Sequence, residues 1–308
     1  MTPPVNRRDF LARATAATAT ATAALAVSGT TRAAAARRDD LPEGPASKVT
    51  LGKTGIQVSL VGMGTGSVGT GQASNQTRLG VKEFTRVVRH ALDRGMCFFD
   101  VADQYGSHTY LREALKGVDR DKYVIQTKSH ATSLPDARSH LERYRMELGV
   151  EMIDIVLLHC MTESPWPAKH QGSMEYLSKA KEQGILRAHG TSCHGLAPLR
   201  TAAKSPFVEI DLARINPEGK IMDDEKGVVK PDEVVSVLQE MHDAGKGVIG
   251  MKILAEGQFK EPERRDASLR YVLGLGSVNA FVIGFESTAQ IDDIFTRTEA
   301  ALADLRKA

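Results

Sequence analysis

Residues 153–159 read Ile-Asp-Ile-Val-Leu-Leu-His. A nearly unbroken aliphatic run of this length fits a strand buried on both faces, and such strands belong to parallel sheets covered by helices. Runs of the same kind recur at Val58–Met63, Cys97–Val101, Tyr123–Thr127, Ala188–Ser192, Ile210–Ile215, Gly247–Ile253 and Ala280–Ile283. Between them lie stretches of helical period. The first is Lys82–Arg94, with Phe84, Val87, Val88, Ala91 and Leu92 on one face. The others are Thr109–Leu115, Pro135–Leu148, Met174–Glu182, Leu196–Ala203, Asp232–Asp243, Asp266–Leu273 and Ala289–Leu302. Repeated strand–helix units imply right-handed crossovers and either an open doubly wound sheet or a closed barrel. Eight units favour closure. The expected fold is α/β, a (β/α)8 TIM barrel. A hairpin over Lys48–Gln57, turning at Thr54-Gly55, is expected to close its bottom.

The 308 residues, 42% apolar and 25% charged, suffice for one barrel-sized core, and no Pro/Ser-rich run or charge block marks an internal linker. The formal charge of +2 comes from the N-terminus. Residues 1–36 hold Arg7, Arg8, Arg13 and Arg32 against Asp9 alone, so 40 basic and 38 acidic residues become 36 and 37 beyond them. A near-neutral barrel lacks the basic footprint that nucleic-acid binding needs. No stretch of residues 37–308 reaches the run of about 18 apolar residues of a membrane span, so no stable anchor is expected there.

Residues 6–11 read Asn-Arg-Arg-Asp-Phe-Leu, followed by an Ala/Thr-rich stretch from Ala14 to Thr31 and an A-x-A site within Ala33–Ala36. Paired arginines, a weakly apolar stretch and small residues at a cleavage point look like a twin-arginine (Tat) export signal. The alternative, a packed amphipathic helix, suffers from frequent Thr and the lack of a charged face. The expected organisation is a signal peptide over 1–36, a linker over 37–46 and the barrel over 47–308. The Tat machinery would then be a partner, and the destination periplasmic or otherwise extracytoplasmic. Free cofactors are scarce there, so any cofactor is expected to be tightly held. Cys97, Cys160 and Cys193 are too few and too odd in number for a disulfide framework.

Gly64-Thr-Gly-Ser-Val-Gly69 fits the G-x-G-x-x-G spacing of a dinucleotide fingerprint. That motif works when the third glycine opens a helix, and an acidic residue ends a second strand about 20 positions on. Here the helical pattern resumes only at Lys82 and the acidic residue is missing. The segment reads instead as a long loop above the first strand.

Three consecutive strands end in titratable groups: Asp100 with Tyr105 five residues on, Lys128, and His159. In a barrel the C-terminal strand ends share one face, with neighbours about 4.8 Å apart. Singly, each has a structural explanation as a helix cap, a packed ring, a solvated amine or a core histidine. Together they point to one cleft.

At these residues the chain resembles the aldo-keto reductase family over residues 47 to 303. The resemblance rests on Leu51-Gly-Lys-Thr-Gly-Ile56, Gly62-Met-Gly64-Thr65, the Asp100-x4-Tyr105-Gly106 spacing, the strand-ending Lys128 and His159, Gly184–Ser192 and Val282–Gln290. It implies hydride transfer between a nicotinamide and a small-molecule aldehyde, ketone or sugar carbonyl. Tyr105 would be the general acid, tuned by Lys128, which Asp100 holds, and His159 would orient the carbonyl. It further implies cofactor contacts from Gly64, Thr65, Ser192, Cys193, Met251, Lys252, Gly284, Ser287 and Gln290, with no metal.

The cofactor side departs from the family pattern. Cys193 stands where the family usually has Asn, Leu212 near the usual Gln, Met251-Lys252 at the stacking aromatic and Ile294 at a frequent Asn. Gln290 replaces the Arg that often clamps the 2′-phosphate, and Glu286 is close by. NADP(H) is favoured over NAD(H), with Lys252 as a phosphate contact. Substrate contacts are expected from residues 66–79 and from 161–172, which include Trp166. Two rivals remain. One is a slow or non-catalytic cofactor-sensing module on the same fold. The other is a Schiff-base aldolase at Lys128, disfavoured because Asp100 would raise the lysine's pKa.

Overall fold

The computed structural model describes residues 41–222, 227 and 229–308. The expected export signal and most of the expected linker lie outside these residues. Two short antiparallel strands, β1 (Lys48–Thr50) and β2 (Gln57–Ser59), precede the barrel. Its strands are β3 (Val61–Gly64), β4 (Phe98–Asp100), β5 (Val124–Ser129), β6 (Ile153–Met161), β7 (Leu186–Cys193), β8 (Ile210–Arg214), β9 (Gly247–Met251) and β10 (Ala280–Gly284). Each pairs in parallel with its successor, and β10 closes on β3.

The helices follow in chain order: α1 (Asn75–Arg78), α2 (Gly80–Asp93), α3 (His108–Ala114), α4 (Leu134–Leu148) and α5 (Trp166–Lys169). Then come α6 (Gln171–Glu182), α7 (Leu196–Lys204), α8 (Pro231–Asp243), α9 (Pro262–Gly274) and α10 (Thr288–Lys307). The signals at their ends are local. The Ser133 hydroxyl accepts from Asp136 N–H at the start of α4, with a proline in its first turn, and Gly149 ends the helix at φ 69°.

Two apolar layers result. Inside the barrel, Phe98, Val124, Ile155, Leu157, Ile210, Leu212, Ile249 and Val282 pack together. Leu51, Ile56 and Val58 of the hairpin join this inner cluster and plug the floor. Outside, strand residues such as Phe99, Val156 and Leu158 meet helix residues such as Val88, Leu141 and Leu177. Asp154, the polar exception in the opening aliphatic run, accepts from Ile125 N–H at 2.9 Å, Arg120 at 2.6 Å and Arg187 at 2.9 Å.

Two expectations are corrected. The run Val58–Met63 is divided at Leu60, with Val58 in the hairpin and Val61 onward in the barrel. The segment expected as one long loop contains α1. Ser74 and Thr77 form its capping box, with Thr in place of the commoner Glu or Gln.

A buried acid in the wall makes stability depend on pH. Asp211 of β8 faces Thr191, whose hydroxyl donates to Oδ2 at 2.5 Å. Burial pushes its carboxyl up to about 6, against hydrogen bonds from Thr191 and Cys193. The folded value lies above the unfolded one, so this contribution is present below about pH 4 and is lost as pH rises through about 6. Asp211→Asn should flatten urea-unfolding free energies across that window. It should also recover on the order of 2–3 kcal/mol at neutral pH, one pKa unit being about 1.4 kcal/mol. A variant with the wild-type pH slope would show that Asp211 is not the group responsible.

Candidate active site

The strand ends bring the four residues of the expected constellation together. Lys128 Nζ donates to Asp100 Oδ1 at 2.6 Å and to the carbonyl of Val101 at 3.1 Å. Lys128 is 1% exposed and Asp100 5%, so the ion pair sits inside the barrel wall. Gln126, two residues before Lys128, donates its amide to the same Asp100 oxygen at 2.7 Å. Tyr105 comes from a short 3-10 turn, Asp103–Tyr105, just after β4. Its hydroxyl lies 3.3 Å from His159 Nε2, and Lys128 Nζ lies 4.9 Å from its ring centroid.

The electrostatics differ from the expectation in two respects. Burial outweighs the Asp100 carboxylate and holds Lys128 below the usual lysine range, where Asp100 was expected to raise it. Lys128 was expected to ease the Tyr105 proton off, yet its nitrogen is turned to Asp100 and Val101. Burial, followed by the charge of Asp100, raises the phenol well above the usual tyrosine range. Burial, with Lys128 adding to it, holds His159 well below the usual histidine value. Tyr105 is thus a retained proton beside a neutral imidazole.

The turn carrying Tyr105 is tied on several sides. Arg143 of α4 grips Asp103 through two bonds of 2.8 Å, which lowers that carboxyl to about 2. Gln104 accepts from His130 at 3.0 Å, and the His130 ring stacks on His159 at 4.4 Å. From the other side, Gly66 and Gly69 press on the Tyr105 ring. A Cβ at Gly66 would lie 2.3 Å from a ring carbon, and one at Gly69 2.5 Å. The glycines that mimic a phosphate-binding fingerprint therefore give clearance to a phenol. Gly66→Ala should displace the ring and lower turnover on the order of 100-fold, the usual cost of an ångström of misplacement. Its thermal midpoint should stay near wild type, and unchanged turnover would show that the contact is yielding.

β6 carries a further device. Its pairing with β7 shifts register between Leu158 and Met161, and Cys160 there has φ 62°. Leu158 and Met161 both pack in the outer layer. The bulge therefore turns two consecutive residues, His159 and Cys160, into one cavity. Cys160 Sγ lies 3.3 Å from His194 Nδ1, which Arg214 approaches at 2.7 Å.

The family model for aldo/keto reductases matches residues 60–272, more than half of the chain. The chain belongs to the aldo/keto reductase family. Among curated relatives, the (1S)-1,7-diacetoxy-luvungin A aldo-keto reductase of Citrus sinensis is 29% identical over 190 residues, 54% of this chain and 55% of that protein. The NADH-specific methylglyoxal reductase of Escherichia coli is 25% identical over 168 residues, 47% of this chain and 51% of that protein. The chain spans about half the length of these curated relatives. In fold it is similar to an aldo-keto reductase of Bacillus halodurans in holo form. There the TM-score is 0.64 at 18% identity, with 84% of this chain and 95% of that one covered.

A cavity of about 620 Å³ opens on these residues, within the range of small-molecule and cofactor pockets. Of the expected cofactor residues, Gly64, Met251, Lys252, Gly284 and Gln290 line it. Four do not. Thr65 is fully buried, its hydroxyl bonded to the Asp100 carbonyl at 2.9 Å and to Ser107 at 2.8 Å. Cys193 packs in the outer layer, and burial and the Asp211 carboxylate raise its thiol well above the usual range. Alternation along β7 puts its side chain on the far face. Ser192 is buried beneath His194, Oγ to Nε2 3.3 Å. Ser287 caps α10 by accepting from Gln290 N–H.

His194, one residue past Cys193, lines the cavity where the resemblance had pointed to Cys193. Phe259, Glu256 and Arg265 line it as well, from residues after β9 that carry no motif. Trp166 is corrected too: it is 2% exposed and donates its indole N–H to the Pro198 carbonyl.

Proposed function

We propose that this chain is an exported, NAD(P)-dependent aldo/keto reductase acting on an aldehyde, ketone or sugar carbonyl, with Tyr105 as general acid. The observation that carries this reading is the Tyr105 hydroxyl, 3.3 Å from His159 Nε2, at a cavity wall backed by the buried Lys128–Asp100 pair. When bound, a nicotinamide cofactor supplies the hydride. The chain's own part is to hold the carbonyl oxygen between the Tyr105 hydroxyl and the His159 ring and to deliver a proton to it. An apolar wall of Leu212, Met251, Val282 and Ile294 suits the flat rings of a dinucleotide.

The expected preference for NADP(H) came from the family resemblance, with Lys252 as the one residue offered as a phosphate contact. That lysine pairs with Glu256 at 2.5 Å, and Arg265, the other lining cation near α10, pairs with Asp293 at 2.7 Å. Glu286 faces the same wall, held by Asn75 at 2.9 Å. Carboxylates there oppose a 2′-phosphate, so the reading moves to NAD(H), as in the NADH-specific relative. Export rests on Arg7-Arg8 and the Ala/Thr stretch after them.

The test is to isolate the protein from its own compartment, denature it and identify released nucleotide by mass spectrometry. Nucleotide near one per chain, in an extracytoplasmic fraction cleaved before Arg37, supports every part of the proposal, and its 2′-phosphate decides the preference. A protein that is empty and binds neither nucleotide in titration would overturn the reductase reading. Tight binding without turnover would select the cofactor-sensing module, which the outward-facing Cys193 favours.

A further inference from the structure

At the floor of the barrel, away from the cavity, an amine and a thiol lie unusually close. Lys48, the first residue of β1, places Nζ 2.7 Å from Sγ of Cys97, just before β4. The Ser59 backbone N–H reaches the same sulfur at 3.2 Å. Amide hydrogen bonds to oxygen centre on about 2.9–3.0 Å. Sulfur is the larger atom, so an amine resting on a thiol should stand farther off than that. The observed separation is shorter than such a contact and much longer than a direct bond; it suits one intervening oxygen atom.

The surroundings hold the pair in place. Cys97 N–H donates to Ser59 Oγ at 3.1 Å, and that hydroxyl donates to the Val61 carbonyl at 2.7 Å. Cys97 is 3% exposed, whereas Lys48 stands at the exposed edge of the hairpin directly over it. Among the described residues Lys48 has no carboxylate partner, so its contact is with the sulfur alone.

We propose that Lys48 and Cys97 form a modification site at which a peroxide-class oxidant installs a covalent N–O–S bridge. One peroxide oxidises the thiol to a sulfenic acid, breaking the S–H and O–O bonds and releasing water. A second peroxide oxidises the junction with the deprotonated amine. The N–O bond forms, the sulfenic O–H and one N–H are lost, and two more waters leave. In sum, one thiol, one amine and two peroxides give one bridge and three waters, with sulfur and nitrogen each losing two electrons. The bridge ties the hairpin plug to the barrel wall across residues 48 and 97. Dithiol reductant returns both side chains and one water.

The experiment uses the full chain treated with hydrogen peroxide or with dithiothreitol, then proteolysis and mass spectrometry. Expected after peroxide is a linked pair of peptides, one containing Lys48 and the other Cys97, heavier than their sum by one oxygen less two hydrogens. The link should vanish with dithiothreitol and in Lys48→Arg. The thermal midpoint of the wild type, but not of Lys48→Arg, should rise on oxidation and fall back on reduction. Linked peptides lighter by two hydrogens with no added oxygen would mean a direct S–N bond and overturn the bridge. So would Cys97 recovered as free thiol, or as sulfenic or sulfinic acid alone, in a sample whose Cys160 has been oxidised.

Discussion

Tyr105→Phe should lose at least about 100-fold in turnover, the usual scale for removing a general acid, while nicotinamide nucleotide binds nearly as before. The substitution is conservative in packing. The ring stays between Gly66, Gly69 and the Lys128 ammonium, and only the hydroxyl facing His159 is removed. That hydroxyl carries the proton facing the proposed carbonyl site, and its raised pKa keeps the proton in place until alkoxide charge develops. The result should therefore appear in the chemical step. A nucleotide titration beside a single-turnover measurement separates the two. Wild-type turnover in the variant would remove Tyr105 from the acid role and leave His159 to be tested by the same comparison.

The barrel and the wall of Asp100, Lys128 and His159 were legible because they depend on strands, and a buried parallel strand declares itself by an aliphatic run with a polar residue at its end. Asp100, Lys128 and His159 each end such a run, so closure of the sheet was enough to bring them together. The rest of the cavity lining was less legible because it depends on which face a residue takes at the last position of a strand. Cys193 and His194 are neighbours in sequence, and one packs outward while the other lines the cavity. The bulge at Cys160 has no compositional signature, since any residue there would pair or not pair according to the register of β7. Gly66 and Gly69 show the opposite failure. Their spacing is conspicuous, but what it answers is the bulk of a tyrosine ring some forty residues away, a contact that only the folded chain supplies.

Lys128→Met should cost both activity and the fold, and the two losses can be separated. The substitution leaves the Asp100 carboxylate 5% exposed, with the Gln126 amide as its remaining side-chain donor. Breaking a buried pair from one side costs about 3–5 kcal/mol, read as a drop in the urea midpoint at constant slope. The stranded carboxylate escapes part of that cost by taking up a proton, so the gap to wild type should narrow as pH falls. Adding Asp100→Leu removes the uncompensated charge and should recover most of the stability, because apolar replacement of a buried pair is often neutral. It should not recover turnover, since the cation behind Tyr105 is still missing. A double variant that regains stability but not catalysis separates the pair's contribution to the wall from its contribution to the phenol. Recovery of both would make Lys128 a structural lysine and confine the chemistry to Tyr105 and His159.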